Sequence, residues 1–280
     1  MPSDVGPGGF KPAYARAPFV FALARARALP GPILIDLMSD LEGTSSSNKA
    51  LLHRMTTGGA LELSRVGRVG VYRMAGRLLA GFTAVRGDGP LRSGAWDGRF
   101  HALIYDIPES RRRERDRFLM AAHQVGYRTV RPGVLISPTD EHQALGGLGD
   151  LGVLDAWITF SPEETPQLVA QAWRLEEFRA EYEEAIAAVE AILDSDLDRM
   201  EGAEALRTMF ASEALRTGLL LRDGALPDEL TPADWPARRL VTLVDEAERR
   251  LGGAAVAYVQ ERIAAGPHAG LVEADLSWPH

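Results

Sequence analysis

Residues 44–74 read TSSSNKALLHRMTTGGALELSRVGRVGVYRM, and the reading of this stretch decides the fold. Thr44 to Ser47 offers several hydroxyl N-caps, and Leu51, Leu52 and Met55 supply the apolar face of a helix over about Asn48–Thr57. Leu61 and Leu63 then alternate with polar neighbours, as do Val69 and Val71, on either side of Gly67 to Gly70. Alternation around a glycine-bearing turn predicts a two-stranded hairpin directly after the helix.

Upstream, Ile33–Leu41 carries Leu34, Leu37, Met38 and Leu41 at helical spacing and stops at Gly43. Before it, Pro18–Leu29 is short, apolar and alanine-rich, is punctuated by Pro30-Gly31-Pro32, and reads as another short helix. Three short helices, the last two joined by a tight glycine turn, form a helix-turn-helix pattern, and the hairpin is its wing. Ala75–Val85 reads as a short amphipathic helix. Residues 87–95 read as a linker, and residues 1–18, rich in proline and glycine, as a flexible tail with no signal-peptide character.

From Trp96 the period changes. Phe100–Ile107 reads as a buried strand ending at Pro108, and Ser110–Val125 as an arginine-rich helix ended by Gly126. Tyr127–Val130 and Val134–Ile136 are short strands split by Pro132-Gly133, Glu141–Leu148 is weakly helical, and Val153–Phe160 is strand-like. The order β-α-β-β-α-β is that of a ferredoxin-like domain. Ser161-Pro162-Glu163-Glu164 reads as a capping box opening a helix, interrupted near Pro166, that runs to about Leu193. Further helices are expected over Glu201–Leu221 and Ala237–Ala265. The expected fold class is α+β: an N-terminal winged helix-turn-helix domain (19–86), a ferredoxin-like middle domain (96–162) and a helical C-terminal domain (163–280).

The chain has 280 residues, a net charge of −8 and no cysteine. Disulfides and thiolate metal sites are therefore excluded, and a reducing cytoplasm is the compartment that fits. No apolar run approaches the roughly 20 residues that cross a bilayer, so no membrane partner is expected. The charge is unevenly spread: residues 17–77 hold eight basic and four acidic side chains, whereas residues 163–280 hold eleven basic and twenty-four acidic ones. The local field decides which surface can meet a phosphate backbone.

Ser46, Ser47, Lys49, His53 and Arg54 include the polar positions of the third helix, and Lys49 and His53, four apart, share a face. Arg65, Arg68 and Arg73 lie on or beside the hairpin. Lys and Arg release counterions on binding duplex DNA, and Arg can also read guanine. The plain structural alternative is a solvated helix face and a charged edge strand that resists aggregation.

Arg111, Arg112, Arg113, Arg115 and Arg117, with Glu114 and Asp116 interleaved, could hold the phosphates of a nucleotide-like effector or simply lace a helix with ion pairs. Trp173, Phe178 and Tyr182 recur at helical intervals, as core residues or as the lining of an aryl or acyl pocket. Candidate effector residues are thus Arg111, Arg112, Arg115, Trp173 and Tyr182. Gly147–Gly152 fits G-x-G-x-x-G but precedes a strand and opens no helix, so no phosphate cradle is expected. The six histidines show no zinc-protease spacing, and there is no G-x-S-x-G elbow. No cofactor, metal or catalytic residue is expected.

Three stretches resemble the PaaX-like group of bacterial transcriptional repressors. The first is His53 to Glu62 with Gly67-Arg68 and Val71-Tyr72-Arg73-Met74. The second is Trp96-Asp97-Gly98-Arg99-Phe100 with Tyr105-Asp106-Ile107-Pro108-Glu109, Gly126-Tyr127 and Pro132-Gly133-Val134. The third is Ala172-Trp173-Arg174-Leu175 with Tyr182, Leu226 to Leu230 and Asp234-Trp235-Pro236. Asn48 stands where the family tends to have an apolar residue. The resemblance implies a homodimer that binds a double-stranded DNA operator and is released by a small effector, a CoA thioester in the family's namesake. An alternative is an enzyme on the same scaffold, acting on a small metabolite with the winged helix kept as structure. The Tyr-Asp-Ile segment at Asp106 is also similar to that of the CRISPR adaptation nucleases, where the carboxylate has been proposed to bind a metal; capping of the next helix is the plainer role for Asp106.

Overall fold

The computed structural model describes residues 12–76, 78–79, 96–145, 151–223 and 226–275. Most of the expected helix Ala75–Val85, the expected linker and the start of the expected tail lie outside them. The chain divides into two compact units, one of Met1–Gly89, Glu184–Gly218 and Ala237–His280, the other of Pro90–Glu183 and Leu219–Pro236. Both hold helices and an antiparallel sheet, an α+β architecture.

The first unit opens with a 3-10 turn, Pro12–Ala15, then α1 (Arg16–Ala24), β1 (Ala26–Pro30), α2 (Gly31–Leu41), α3 (Ser45–Thr57), β2 (Leu61–Val66) and β3 (Val69–Met74). Helix α1 starts ahead of residue 19 because Ala15 and Ala17 are already buried. The expected single helix over Pro18–Leu29 is corrected: it ends at Ala24, Arg25 turns left-handed at φ 47°, and Ala26–Pro30 is a strand. In so short an apolar run, periodicity does not separate a buried helix from a buried strand. Pairing decides it, since β1 lies against β3 with Ala28 opposite Arg73 and Leu29 opposite Tyr72.

The sheet order is β2-β3-β1-β8, where β8 is Glu273–Ala274, a two-residue strand too short to leave a pattern in the sequence. The hairpin β2–β3 runs in register from Leu61–Met74 to Val66–Val69, with Gly67 at φ 62° in its two-residue turn. Only its base is buried: Leu61, Val71 and Met74 are inside, whereas Leu63 and Val66 are exposed. The tip therefore projects from the body.

The core of this unit joins Phe19, Phe21, Leu34, Leu37, Leu51 and Leu52 to two later helices, α7 (Gly202–Asp223) and α8 (Ala237–Ala265). Leu206 and Phe210 come from α7, Leu251 and Val259 from α8, and the Phe19 and Phe210 rings meet edge to face at 5.2 Å. Each such buried side chain contributes about 1.5–3 kcal/mol, so α1–α3 draw much of their stability from residues some two hundred positions later.

The second unit holds β4 (Phe100–Ile104), α4 (Arg112–Gln124), β5 (Arg128–Arg131), β6 (Val134–Ser137) and β7 (Leu154–Ile158) in the order β5-β6-β4-β7, with every neighbouring pair antiparallel. Leu103, Ile107, Phe118, Ala122, Tyr127 and Leu135 form the core between α4 and the sheet. Glu141–Leu148 shows one 3-10 turn, His142–Leu145, and most of the glycine-rich run after it lies outside the described residues.

Helices α5 (Thr165–Ala172) and α6 (Leu175–Leu193) break at Trp173-Arg174, where Arg174 has φ 55°. Pro166 is not the interruption. It sits in the first turn of α5, where its missing N–H costs nothing. The capping interaction forms one turn earlier, with Ser161 Oγ accepting from the Glu164 N–H at 3.2 Å. Among the described residues, no helix is long and apolar enough to cross a membrane.

Candidate nucleic-acid interface

Helix α3 is held at its start by a capping box. Thr44 Oγ1 accepts from the Ser47 N–H at 3.1 Å, and Ser47 Oγ accepts from the Thr44 N–H at 3.0 Å. Ser47 is thus exposed but committed to its own backbone, while Ser46 is exposed beside it. Asn48, Leu51, Leu52 and Met55 turn inward. Lys49, His53 and Arg54 are all exposed, so the structure places the polar residues expected on α3 on its outward side.

Asn48 is fully buried, and the fold supplies partners for it. Its Nδ2 donates to Ser39 Oγ at 3.2 Å, and its Oδ1 accepts from Arg16 Nη1 at 3.4 Å. Ser39 Oγ in turn donates to the Ile35 carbonyl at 2.7 Å. A buried amide without such partners would cost about 1–3 kcal/mol; here it pins α3 to α2 and α1. The signal for it was present in the sequence: Asn48 occupies an inward position of the 48, 51, 52, 55 spacing.

Arg65 and Arg68 are exposed on the projecting hairpin, Arg68 in its turn. Among the described residues, Lys49, Arg54, Arg65 and Arg68 have no acidic partner. Burial pushes the Tyr72 phenol up, with Arg65 pulling it the other way. Arg73 differs from the other hairpin arginines. Its Nη1 donates to Ser64 Oγ at 2.9 Å and its Nη2 pairs with Glu273 of β8. The hairpin base is thus tied to the C-terminal strand, leaving its tip cationic.

The arginines of α4 are laced with carboxylates. Arg111 makes two hydrogen bonds to Glu114, at 3.0 and 2.6 Å, and Arg115 reaches Glu109 at 3.0 Å. Arg112 lies 3.6 Å from both Glu109 and Asp116. Trp173 and Tyr182 are buried, Trp173 against Phe100 at 6.4 Å and Tyr182 against Trp235 at 5.6 Å. The basic run has the arrangement of an ion-paired helix surface, and the two aromatic residues that of core. Asp106 is exposed and is not the N-cap of the helix that follows: the residue before the 3-10 turn is Pro108 and the residue before α4 is Arg111, neither with a side-chain cap hydrogen bond.

Residues 93–170 match the family model of the PaaX protein central Cas2-like domain, and residues 173–261 match that of the PaaX-like protein C-terminal domain. The chain is 26% identical over 234 residues to the Transcriptional repressor PaaX of Escherichia coli (strain K12), covering 76% of this chain and 71% of that protein. Its fold is similar to the solved structure of the uncharacterized protein Rv0674 from Mycobacterium tuberculosis, with a TM-score of 0.52 and 24% identity over 81% of this chain and 90% of that one. Two family domains in consecutive order, together with that repressor's similarity across three quarters of the sequence, make this chain a member of the PaaX-like family.

Proposed function

We propose that the chain is a DNA-binding transcriptional repressor, with residues 19–86 as a winged helix-turn-helix domain, 96–162 as a ferredoxin-like domain and 163–280 as a helical domain. Helix α3 enters the major groove with Lys49, His53 and Arg54, near Ser46 and Ser47 at its start. The hairpin places Arg65 and Arg68 against phosphate or the minor groove, with Arg73 at its base. The observation that carries this reading is the set of four cations, Lys49, Arg54, Arg65 and Arg68, that have no acidic partner among the described residues, on α3 and a projecting hairpin in a chain of net charge −8. The similarity to a transcriptional repressor supports it.

A homodimer sets two α3 helices about one DNA turn apart on a palindromic operator. A small effector, an acyl- or aryl-CoA thioester, favours a geometry that cannot span both half-sites, which requires different affinities for two states. Helix α8 is bonded to α2, which carries α3 beside it. Tyr258 Oη donates to Asp40 of α2 at 2.9 Å, and Arg262 pairs with Asp36.

The test is a mobility-shift titration with the DNA upstream of the chain's own gene, at about 50 and about 200 mM salt. Sequence-selective binding that weakens steeply at the higher salt is expected, with release on adding an acyl- or aryl-CoA. Absence of any salt-dependent, sequence-selective complex would sink the reading.

A further inference from the structure

In the second unit, three side chains that commonly ligate metals converge from distant sequence positions. His101 lies on β4 and is only 2% exposed. Its Nδ1 is 2.6 Å from Tyr127 Oη, which also accepts from the Glu141 N–H at 3.3 Å. Its Nε2 is left 3.6 Å from Asp140 Oδ1 and 4.0 Å from Asp155 Oδ2, beyond hydrogen-bond distance of either. Asp140 Oδ1 meets His142 Nδ1 at 2.6 Å, and the His142 ring stacks on His101 with centroids 5.7 Å apart. One donor atom from each of His101, Asp140 and His142 lies within 4.8 Å of the other two. Trp157 packs edge-on against His101 at 5.1 Å and is itself covered by Arg99 at 5.0 Å.

We propose that His101 Nε2, Asp140 and His142 Nδ1 bind a divalent transition-metal ion of the zinc class, with a water or Asp155 in the fourth position. Two imidazoles and a carboxylate are a zinc donor set. Bonds of about 2.0–2.1 Å to a tetrahedral ion hold the donor atoms about 3.3 Å apart. The ion therefore pushes Asp140 and His142 slightly apart and draws His101 slightly closer. Side-chain rotation in the 138–142 turn is enough, because His142 and Asp140 are about one-third exposed while His101 is fixed in the sheet.

Tyr127 is the positioning residue. With Nδ1–H donating to Tyr127 Oη, the Nε2 lone pair faces the ion, the usual arrangement for a ligating histidine. Ligation through Nδ1 requires that nitrogen to be free of its proton: a neutral His142 ring carries the proton on Nε2 instead, and a protonated ring gives one proton up to solvent. Asp140, His142 and Asp155 all reach solvent and give the ion access.

The experiment uses the full chain, tag removed, stripped with a chelator and titrated with zinc chloride alone in competition with a chromophoric chelator. One zinc per chain is expected, and cobalt(II) substituted for zinc should give the visible absorption of a four-coordinate site. Asp140→Asn and His142→Ala, both at part-exposed positions, should each weaken zinc binding by at least about 10-fold, and Tyr127→Phe by about 10–100-fold. His268→Ala, exposed and in the first unit, should leave zinc uptake unchanged. Failure of the stripped chain to take up zinc overturns the proposal. Uptake that is the same in Asp140→Asn and His142→Ala, with circular dichroism unchanged, overturns it equally. The readout is metal content, so the result stands apart from whether the chain binds DNA.

Discussion

Asn48 Nδ2 donates to Ser39 Oγ at 3.2 Å, joining the inward face of α3 to the C-terminal turn of α2 in the interior of the unit. The resemblance to the family leads to the expectation of an apolar residue at this position. In this chain the amide is tolerated because Ser39 and Arg16 satisfy both of its ends. Asn48→Ala should lower stability by about 1–3 kcal/mol in urea unfolding. The Asn48→Ala/Ser39→Ala double mutant should lose less than the sum of the singles, by at least about 0.5 kcal/mol. Strict additivity would show the bond to be unimportant.

Lys49, Arg54, Arg65 and Arg68 are exposed and have no acidic partner among the described residues, so replacing any of them by Ala should shift stability by no more than about 0.5 kcal/mol. Each phosphate interaction removed in this way should reduce the slope of log K against log salt by about 0.9. Arg73→Ala should alter the slope less, because Arg73 is held by Glu273 and Ser64. Equal slopes for wild type and all four variants would remove α3 and the hairpin from the DNA interface.

Arg216 on α7 is 9% exposed and meets Glu213 and, on α8, Asp245 at 2.6 Å and Glu248 at 3.9 Å. Taking away the cation leaves three carboxylates together, Glu213 among them 14% exposed. Arg216→Ala should cost about 3–5 kcal/mol, read as a large fall in the urea midpoint, and Arg216→Lys should recover part of the loss. A change under about 1 kcal/mol would match the cost of a surface pair instead.

Arg179 makes a two-pronged contact with Asp234, at 3.2 and 3.0 Å, and holds its carboxyl below the ordinary aspartate range. A depressed folded-state pKa gives stability that is present above the unfolded value and is lost as pH falls through the folded one. Carbon-13 titration should find Asp234 ionising at lower pH than a free aspartate, and Arg179→Leu should return it to the ordinary value. Asp234 is well exposed, so added salt should narrow the difference.

Gly133 has φ 80°, and a Cβ there would lie 2.8 Å from the Tyr105 carbonyl oxygen, a backbone atom that cannot step aside. The same turn gives the Tyr105 amide its acceptor, the Gly133 carbonyl, at 2.8 Å. Gly133→Ala should therefore cost more than the roughly 1–2 kcal/mol of a left-handed backbone alone, visible as a lowered melting temperature. An unchanged melting temperature would mean that the β5–β6 turn yields easily.

Helix α3 and the hairpin were legible because their signals are local: hydroxyl caps, apolar residues three and four apart, and alternation about Gly67. Strand β1 was not, since Ala26 to Pro30 carries nothing that separates it from α1; its pairing with β3 does so. Proline is the stronger sequence signal, and Pro166 accordingly marked the break between α5 and α6. The structure puts it at Arg174, since a proline in a first helical turn interrupts nothing. Hairpin position marked Arg73 as an outward cation, but Glu273, two hundred residues later, occupies it.

The sequence by itself determined the α+β class, the helical periods, the cationic stretch from Lys49 to Arg73 and the family, because each depends on residues near one another along the chain. Tertiary structure alone decided which of those cations are free, how a buried asparagine is satisfied, and that His101 meets Asp140 and His142. Those facts depend on atoms brought within a few ångströms from far along the chain. Residue spacing does not encode such distances; burial and strand register create them.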